Sequence, residues 1–235
     1  MKRYVVIVAG GKGLRMGTDL PKQFVPIGGK PVLMHTIKAF HDWDSEARII
    51  VVLPKEHHPY WNMLCKEIGG CASHEVTEGG DTRFASVKNG LSVVKKLIES
   101  SDSEGEKVLV AVHDGVRPFV SSDVIERCFA KAAEAGAAIP VVPVVDSLRR
   151  KEGGLTHAVD RSDYVAVQTP QVFGWKELSY AYSKPYVESF TDDASVVESA
   201  GFTVYTVAGN TENIKLTTPI DLSVAESIIS SKTYS

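Results

Sequence analysis

The chain has 235 residues, 43% hydrophobic and 23% charged, enough for one large α/β domain with a real core or two small ones. Its net charge of −3 argues against a general nucleic-acid surface, which needs a basic excess, though a local basic cluster can still hold one phosphorylated ligand. No segment approaches the roughly 20 apolar residues of a membrane span. The three cysteines, Cys65, Cys71 and Cys128, are an odd number and form no C-x-x-C pair. They read as free thiols of a reducing compartment, not as a disulfide framework or a zinc site. The apolar run Met1–Ala9 is too short for a signal peptide, so a cytoplasmic location is expected.

In chain order, strand-like and helix-like segments alternate. Tyr4–Ala9 is apolar at every position, as a strand covered on both faces would be, and Ile49–Leu53 and Val108–Val112 read the same way. Pro31 opens a helical pattern carrying Val32, Leu33, Ile37 and Phe40. Phe84, Val87, Leu91, Val94 and Leu97 recur at helical spacing, as do Val124, Ile125, Cys128, Phe129 and Ala132, with Ser122 expected as N-cap and Gly136 as stop. Thr218-Pro219-Ile220-Asp221 resembles a capping box before a final helix. Such alternation predicts a doubly wound, mostly parallel sheet in a single domain over 1–235. The stretch 140–169 breaks the rhythm. Its polar run Arg149–Gly154, followed by β-like Ala158–Val159 and Tyr164–Val167, predicts a projecting antiparallel arm of the kind used in dimerisation.

Ala9-Gly10-Gly11-Lys12-Gly13-Leu14-Arg15-Met16-Gly17 follows the first strand directly, where parallel sheets bind ligands. Glycines let backbone N–H groups approach a phosphate, and Lys12 and Arg15 add positive charge, which suits a triphosphate cradle. The spacing Gly11, Gly13, Gly17 does not fit a dinucleotide fingerprint, and Gly29-Lys30-Pro31 does not fit a Walker loop. An unliganded glycine turn has the same composition. Pro21-Lys22-Gln23 follows closely, and Lys22 is placed to reach back over the same phosphates. Asp81 in Gly79-Gly80-Asp81-Thr82-Arg83-Phe84-Ala85-Ser86 could cap a helix or bind a base and ribose. Asp114 and Arg117 in His113-Asp114-Gly115-Val116-Arg117-Pro118 could hold a ligand at a strand end, or only each other. His113 by itself reads as structural. Asp146-Ser147, Asp160-Arg161 and Gln168-Thr169 lie on the arm, and Asn213-Ile214-Lys215 precedes the last helix.

Together these segments resemble the cytidylyltransferases that act on polyol phosphates, with matching motifs from Ala9 to Lys215. The resemblance implies a Rossmann-like, GT-A-like nucleotidyltransferase fold. It also implies transfer of a cytidylyl group from CTP to a polyol phosphate with release of pyrophosphate. The expected acceptor is the methylerythritol phosphate of non-mevalonate isoprenoid synthesis. Ribitol 5-phosphate is the alternative acceptor, and a catalytically inactive nucleotide-binding regulator is the alternative of another class. By the same resemblance, Lys22, Lys215 and Arg15 are catalytic. Ala9, Gly10, Gly11, Gly13, Gly80, Asp81, Ser86 and Gly115 bind the nucleotide. Asp114, Arg117, Ser147, Arg161 and Thr169 bind the acceptor, partly across a homodimer. Mg²⁺ is expected chiefly on the CTP phosphates, with Asp114 as its possible protein ligand. Gly115 and Ser147 stand where relatives often carry alanine and threonine.

Overall fold

The computed structural model describes residues 1–10, 20–101 and 105–233. Five parallel strands form the centre: β1 (Lys2–Val8), β4 (Arg48–Leu53), β5 (Glu75–Glu78), β6 (Val108–Asp114) and β7 (Ala137–Pro143). The short strands β2 (Pro26–Ile27) and β3 (Lys30–Pro31) make a separate hairpin between β1 and β4. The main sheet runs β10-β7-β11-β6-β1-β4-β5, where β10 is Val165–Val167 and β11 is Gln171–Gly174, and β12 (Tyr205–Ala208) pairs with β7. Only β10 and β11 run antiparallel. The sheet is therefore mixed but mostly parallel, as the alternation predicts.

Helices cover both faces, which is why β1, β4 and β6 are apolar at successive positions. On one face, α1 (Val32–Trp43), α2 (His58–Ile68) and α4 (Ser122–Ala135) cover Val5, Ile7, Val51 and Leu109. On the other, α3 (Arg83–Glu99), α5 (Trp175–Ser183) and α6 (Asp193–Ser199) cover Tyr4, Val6, Ile50 and Val110. Helix α7 (Pro219–Thr233) closes a smaller cluster of Ile27, Val32, Phe119, Leu216 and Ala225. Among the described residues no helix is long and apolar enough to cross a membrane.

Local signals hold with small shifts. Pro31 precedes α1, and Gly136 (φ +91°) ends α4. The cap of α4 is Ser121, one residue before the expected Ser122: its hydroxyl accepts from the Val124 N–H. At α7, the Asp221 carboxylate accepts from the Thr217 and Thr218 N–H groups at 2.7 Å each.

The arm differs more. Tyr164–Val167 and Ala158–Val159 do not pair with each other. Val165–Val167 pairs instead with Val141–Pro143 as part of the main sheet. The hairpin is β8 (Arg149–Glu152) with β9 (Leu155–Ala158), turned at Gly153-Gly154 (φ +52° and +84°). Two adjacent residues with positive φ make a tight hairpin turn whose twist matches its strands. The polar run Arg149–Gly154 is thus a strand and its turn. Every residue of β8 and β9 is exposed, so no apolar alternation marks either strand.

Candidate active site

Register builds the site. Val8 pairs with Val52 and Asp114, and Glu78 with Leu53, so β1, β4, β5 and β6 end level. The loops that follow are tied to the neighbouring strands: Ala9 N donates to Val52 O (3.0 Å), Gly79 N to Leu53 O (2.8 Å) and Gly115 N to Val8 O (2.8 Å). These loops frame a cavity of about 270 Å³, into which Ala9, Gly10, Lys22, Gly80, Asp81, Ser86, Asp114 and Lys215 open. Gly11, Gly13 and Arg15 lie outside the described residues. Two glycines are steric necessities here. A Cβ on Gly80 would sit 2.5 Å from the Ala85 Cβ, and one on Gly115 would sit 2.7 Å from the Ala9 Cβ. The Ser86 hydroxyl accepts from Gly80 N (3.1 Å) and lies 3.2 Å from Gly80 O, fixing that loop. Asp81 is not the N-cap of α3; Thr82 is, accepting from Ala85 N. Asp81 is exposed at the cavity, with no capping duty.

Asp114 is the electrostatic centre. Its Oδ2 lies 3.1 Å from Lys215 Nζ and 3.1 Å from Arg117 Nε. Burial opposes ionisation of this carboxyl. The charges of Lys215, Arg83 and Arg117 outweigh burial and hold it down at about 2. Arg117 also donates to Asn213 O (2.8 Å), which joins the segment before α7 to the end of β6. Lys22 Nζ donates to Thr217 O of the same segment (3.2 Å). Lys22 and Lys215, 193 positions apart in sequence, thus line the same cavity.

Beneath Asp114 lies a closed polar network. His113 is fully buried, and burial pushes its imidazole down to about 4. Its Nε2 faces Arg117 O at 3.0 Å and must donate, so Nδ1 accepts from the Thr169 hydroxyl (3.0 Å). The Thr169 oxygen in turn accepts from Asp114 N (3.1 Å). Thr169 is therefore 5% exposed and supports the strand end from below. Its hydroxyl does not face the cavity. Ser147 and Arg161 are exposed on the arm, Arg161 donates to Val145 O, and neither lines the cavity within this chain.

Sequence reasoning missed Arg83, which also lines the cavity. Its guanidinium forms a two-pronged pair with Asp193 (2.9 and 2.6 Å), and Tyr182 donates to the same carboxylate at 2.6 Å. Asp193 is fully buried at the start of α6. The signal was present: Asp193 precedes Val196 and Val197 at i+3 and i+4, so it falls on the buried face of its helix, where an acid requires a partner.

A second hollow, about 530 Å³, opens at the amino ends of β1 and β4. Parallel sheets bind ligands at the opposite, carboxyl ends, and four of its charges are paired with each other, Arg3 with Asp44 and Met1 with Glu106.

The family model described as IspD, 2-C-methyl-D-erythritol 4-phosphate cytidylyltransferase, matches residues 4–231. Enzymes of that name from Bacteroides fragilis and Phocaeicola vulgatus are 52% and 54% identical to the chain, over 97% of it and 100% of each relative. The crystal structure of the Thermus thermophilus enzyme of that name superposes with a TM-score of 0.74 at 33% identity, covering 97% of this chain and 98% of that one. The chain therefore belongs to the 2-C-methyl-D-erythritol 4-phosphate cytidylyltransferase family.

Proposed function

We propose that the cavity at the carboxyl ends of β1, β5 and β6 is where this nucleotidyltransferase moves a cytidylyl group from CTP to 2-C-methyl-D-erythritol 4-phosphate, in isoprenoid biosynthesis. One observation carries the assignment to this site: Lys22 and Lys215 line one cavity with the Gly80–Ser86 loop, and Lys215 and Arg117 both meet Asp114 at the end of β6. An acceptor phosphate oxygen attacks the α-phosphorus of CTP, forming one P–O bond as the bond to pyrophosphate breaks. The acceptor monoester is already anionic at neutral pH, so the obstacle is the approach of two polyanions, not proton removal. Lys22 and Lys215 neutralise charge that grows on the α-phosphoryl oxygens and the leaving group. Asp114, kept ionised by its neighbours, holds Lys215 and Arg117 in place before substrate arrives.

Gly80, Asp81 and Ser86 take the cytidine, the backbone at Gly115 takes the ribose, and the glycine loop with Arg15 takes the triphosphate. Ser147 and Arg161 complete the acceptor pocket in the assembled dimer, with Thr169 bracing the end of β6 beneath it. Mg²⁺ fits this donor set. It needs few protein ligands beside phosphates and water, and Asp114 offers one hard oxygen donor. When bound, the ion would neutralise phosphate charge. Homodimerisation through the arm is supported by apolar side chains with no cover in the monomer: Val145 is 82% and Leu155 68% exposed. A cytoplasmic location suits free thiols and a small-molecule biosynthetic role.

Pyrophosphate release with CTP and Mg²⁺ tests the reading. Methylerythritol phosphate is expected to turn over, with ribitol 5-phosphate far slower. Equal or reversed preference would reassign the acceptor. No release with either would remove the catalytic reading of the cavity.

A further inference from the structure

Two of the three thiols come together. Cys65 lies in the last turn of α2 and Cys71 on the segment leading to β5. Gly69 (φ +70°) and Gly70 (φ +65°) reverse the chain between them with open space around both, a conformation that side chains disfavour. The Cys65 thiol thereby donates to Cys71 Sγ at 3.2 Å. His74 stands beside the pair, its Nδ1 3.9 Å from Cys71 Sγ and 2.7 Å from Ala72 O. Its Nε2 accepts from the indole N–H of Trp61 at 2.9 Å. A carbonyl cannot donate and an indole N–H cannot accept, so the proton of this imidazole is fixed on Nδ1, where it is donated to Ala72 O.

That tautomer separates two readings of the trio. Its ligand atoms lie within 4.8 Å of one another, as a soft metal ion would require. Yet neither ring nitrogen has a lone pair to give: Nε2 is spent on Trp61, and Nδ1 carries its hydrogen. The Cys65 S–H donated to Cys71 Sγ instead stabilises a thiolate there. The hydrogen bond from Cys65 lowers the Cys71 thiol from its ordinary value, and contact with His74 adds to this. The same bond raises the Cys65 thiol. Cys128, packed in the core, is pushed up to about 12 by burial.

We propose that Cys65 and Cys71 form a thiol–disulfide exchange site that reacts with small-molecule disulfides and closes to an intramolecular disulfide. The Cys71 thiolate attacks one sulfur of the disulfide RSSR. A Cys71–S–S–R bond forms, and the S–S bond of RSSR breaks to release RS⁻. Once Cys71 is capped, the hydrogen bond and negative charge that held the proton on Cys65 are gone. Cys65 then attacks the Cys71 sulfur, its proton passing to the departing thiolate. The balance is two protein thiols and one RSSR giving one protein disulfide and two RSH; the protein is oxidised by two electrons and RSSR is reduced. Both cysteines are half-buried, so a small disulfide reaches them, whereas Cys128 is 0% exposed and does not compete.

The test uses the full-length protein treated with oxidised glutathione, followed by alkylation and peptide mapping by mass spectrometry without reductant. A Cys65–Cys71 cross-linked peptide is expected, with Cys128 still alkylated after denaturation. Cys65→Ser is expected to stop at a mixed disulfide on Cys71, and Cys71→Ser to react at Cys65 at least ~10-fold more slowly. Two results would overturn the proposal: native protein that retains all three thiols, or Cys65→Ser and Cys71→Ser variants that react at equal rates.

Discussion

The two hollows at opposite ends of the parallel strands differ in a way that volume does not predict. The one at the amino ends is about twice as large, 530 against 270 Å³. Its ion pairs, Arg3–Asp44 and Met1–Glu106, retain side-chain exposures of up to 31% and 42%. At the carboxyl ends, Asp114 and Arg117 keep 11% and 13%, and Asp193 keeps none. Charges in the first hollow are partly screened by water. In the second the carboxylates are buried and each is held by a cation that reaches the cavity, Asp114 by Lys215 and Asp193 by Arg83, which pre-positions charge for a transition state. A site is marked here by buried, pre-positioned charge and by glycines that bring backbone close, and size is a poor guide.

This contrast can be broken or sharpened by substitution. The largest effect is expected from Asp193→Ala, which strands the Arg83 guanidinium and the Tyr182 hydroxyl beneath the cavity. Chemical denaturation should show a loss of about 3–5 kcal/mol; a loss as small as that of an exposed pair would undo the distinction drawn between the two ends. Next comes Lys22→Ala, expected to lower turnover at least about 100-fold in a pyrophosphate-release assay while the melting transition barely moves. Near-normal turnover would remove Lys22 from the chemistry.

Thr169→Val leaves the Asp114 N–H and His113 Nδ1 without their partner. It should cost about 1–3 kcal/mol of stability, read from urea midpoints. The His113 imidazole accepts a proton near 6.5 when unfolded and near 4 when folded. The unfolded chain therefore binds more protons across that window, and stability should fall as pH drops from 6.5 to 4, by about 1 kcal/mol per pH unit at most. Asp114 continues the loss from 3.8 towards 2. Replacing His113 with glutamine should flatten the upper part of this profile; an unchanged profile would show that another group titrates there. At the other end of the sheet, Arg3→Ala should cost no more than about 1 kcal/mol and leave turnover intact.

What the sequence determined by itself is whatever neighbours along the chain encode. Unbroken apolar runs specified strands covered on both faces, since each position of Val5–Ile7 must meet one helical layer or the other. Pro31 and Gly136 set helix ends through backbone preferences that need no distant partner. The Asp114–Arg117 segment was placed correctly at a strand end, because a strand's direction fixes which loop follows it. The hairpin of the arm was misplaced for a related reason: with β8 and β9 exposed on every side, burial imposed no alternation from which a register could be read.

Only the tertiary structure decided the partners. The antiparallel entry of β11 beside β6 carries Thr169 under Asp114, 55 positions away, and turns an expected pocket residue into a support. Helix α6 delivers Asp193 to Arg83 across 110 positions, and the segment before α7 delivers Lys215 to Asp114 and Thr217 to Lys22. Such pairs leave no periodic trace, because they depend on strand order and layer packing. The depressed carboxyl of Asp114, the neutral His113 and the facing thiols of Cys65 and Cys71 arise in the same way, from burial and contact that exist only once the chain has folded.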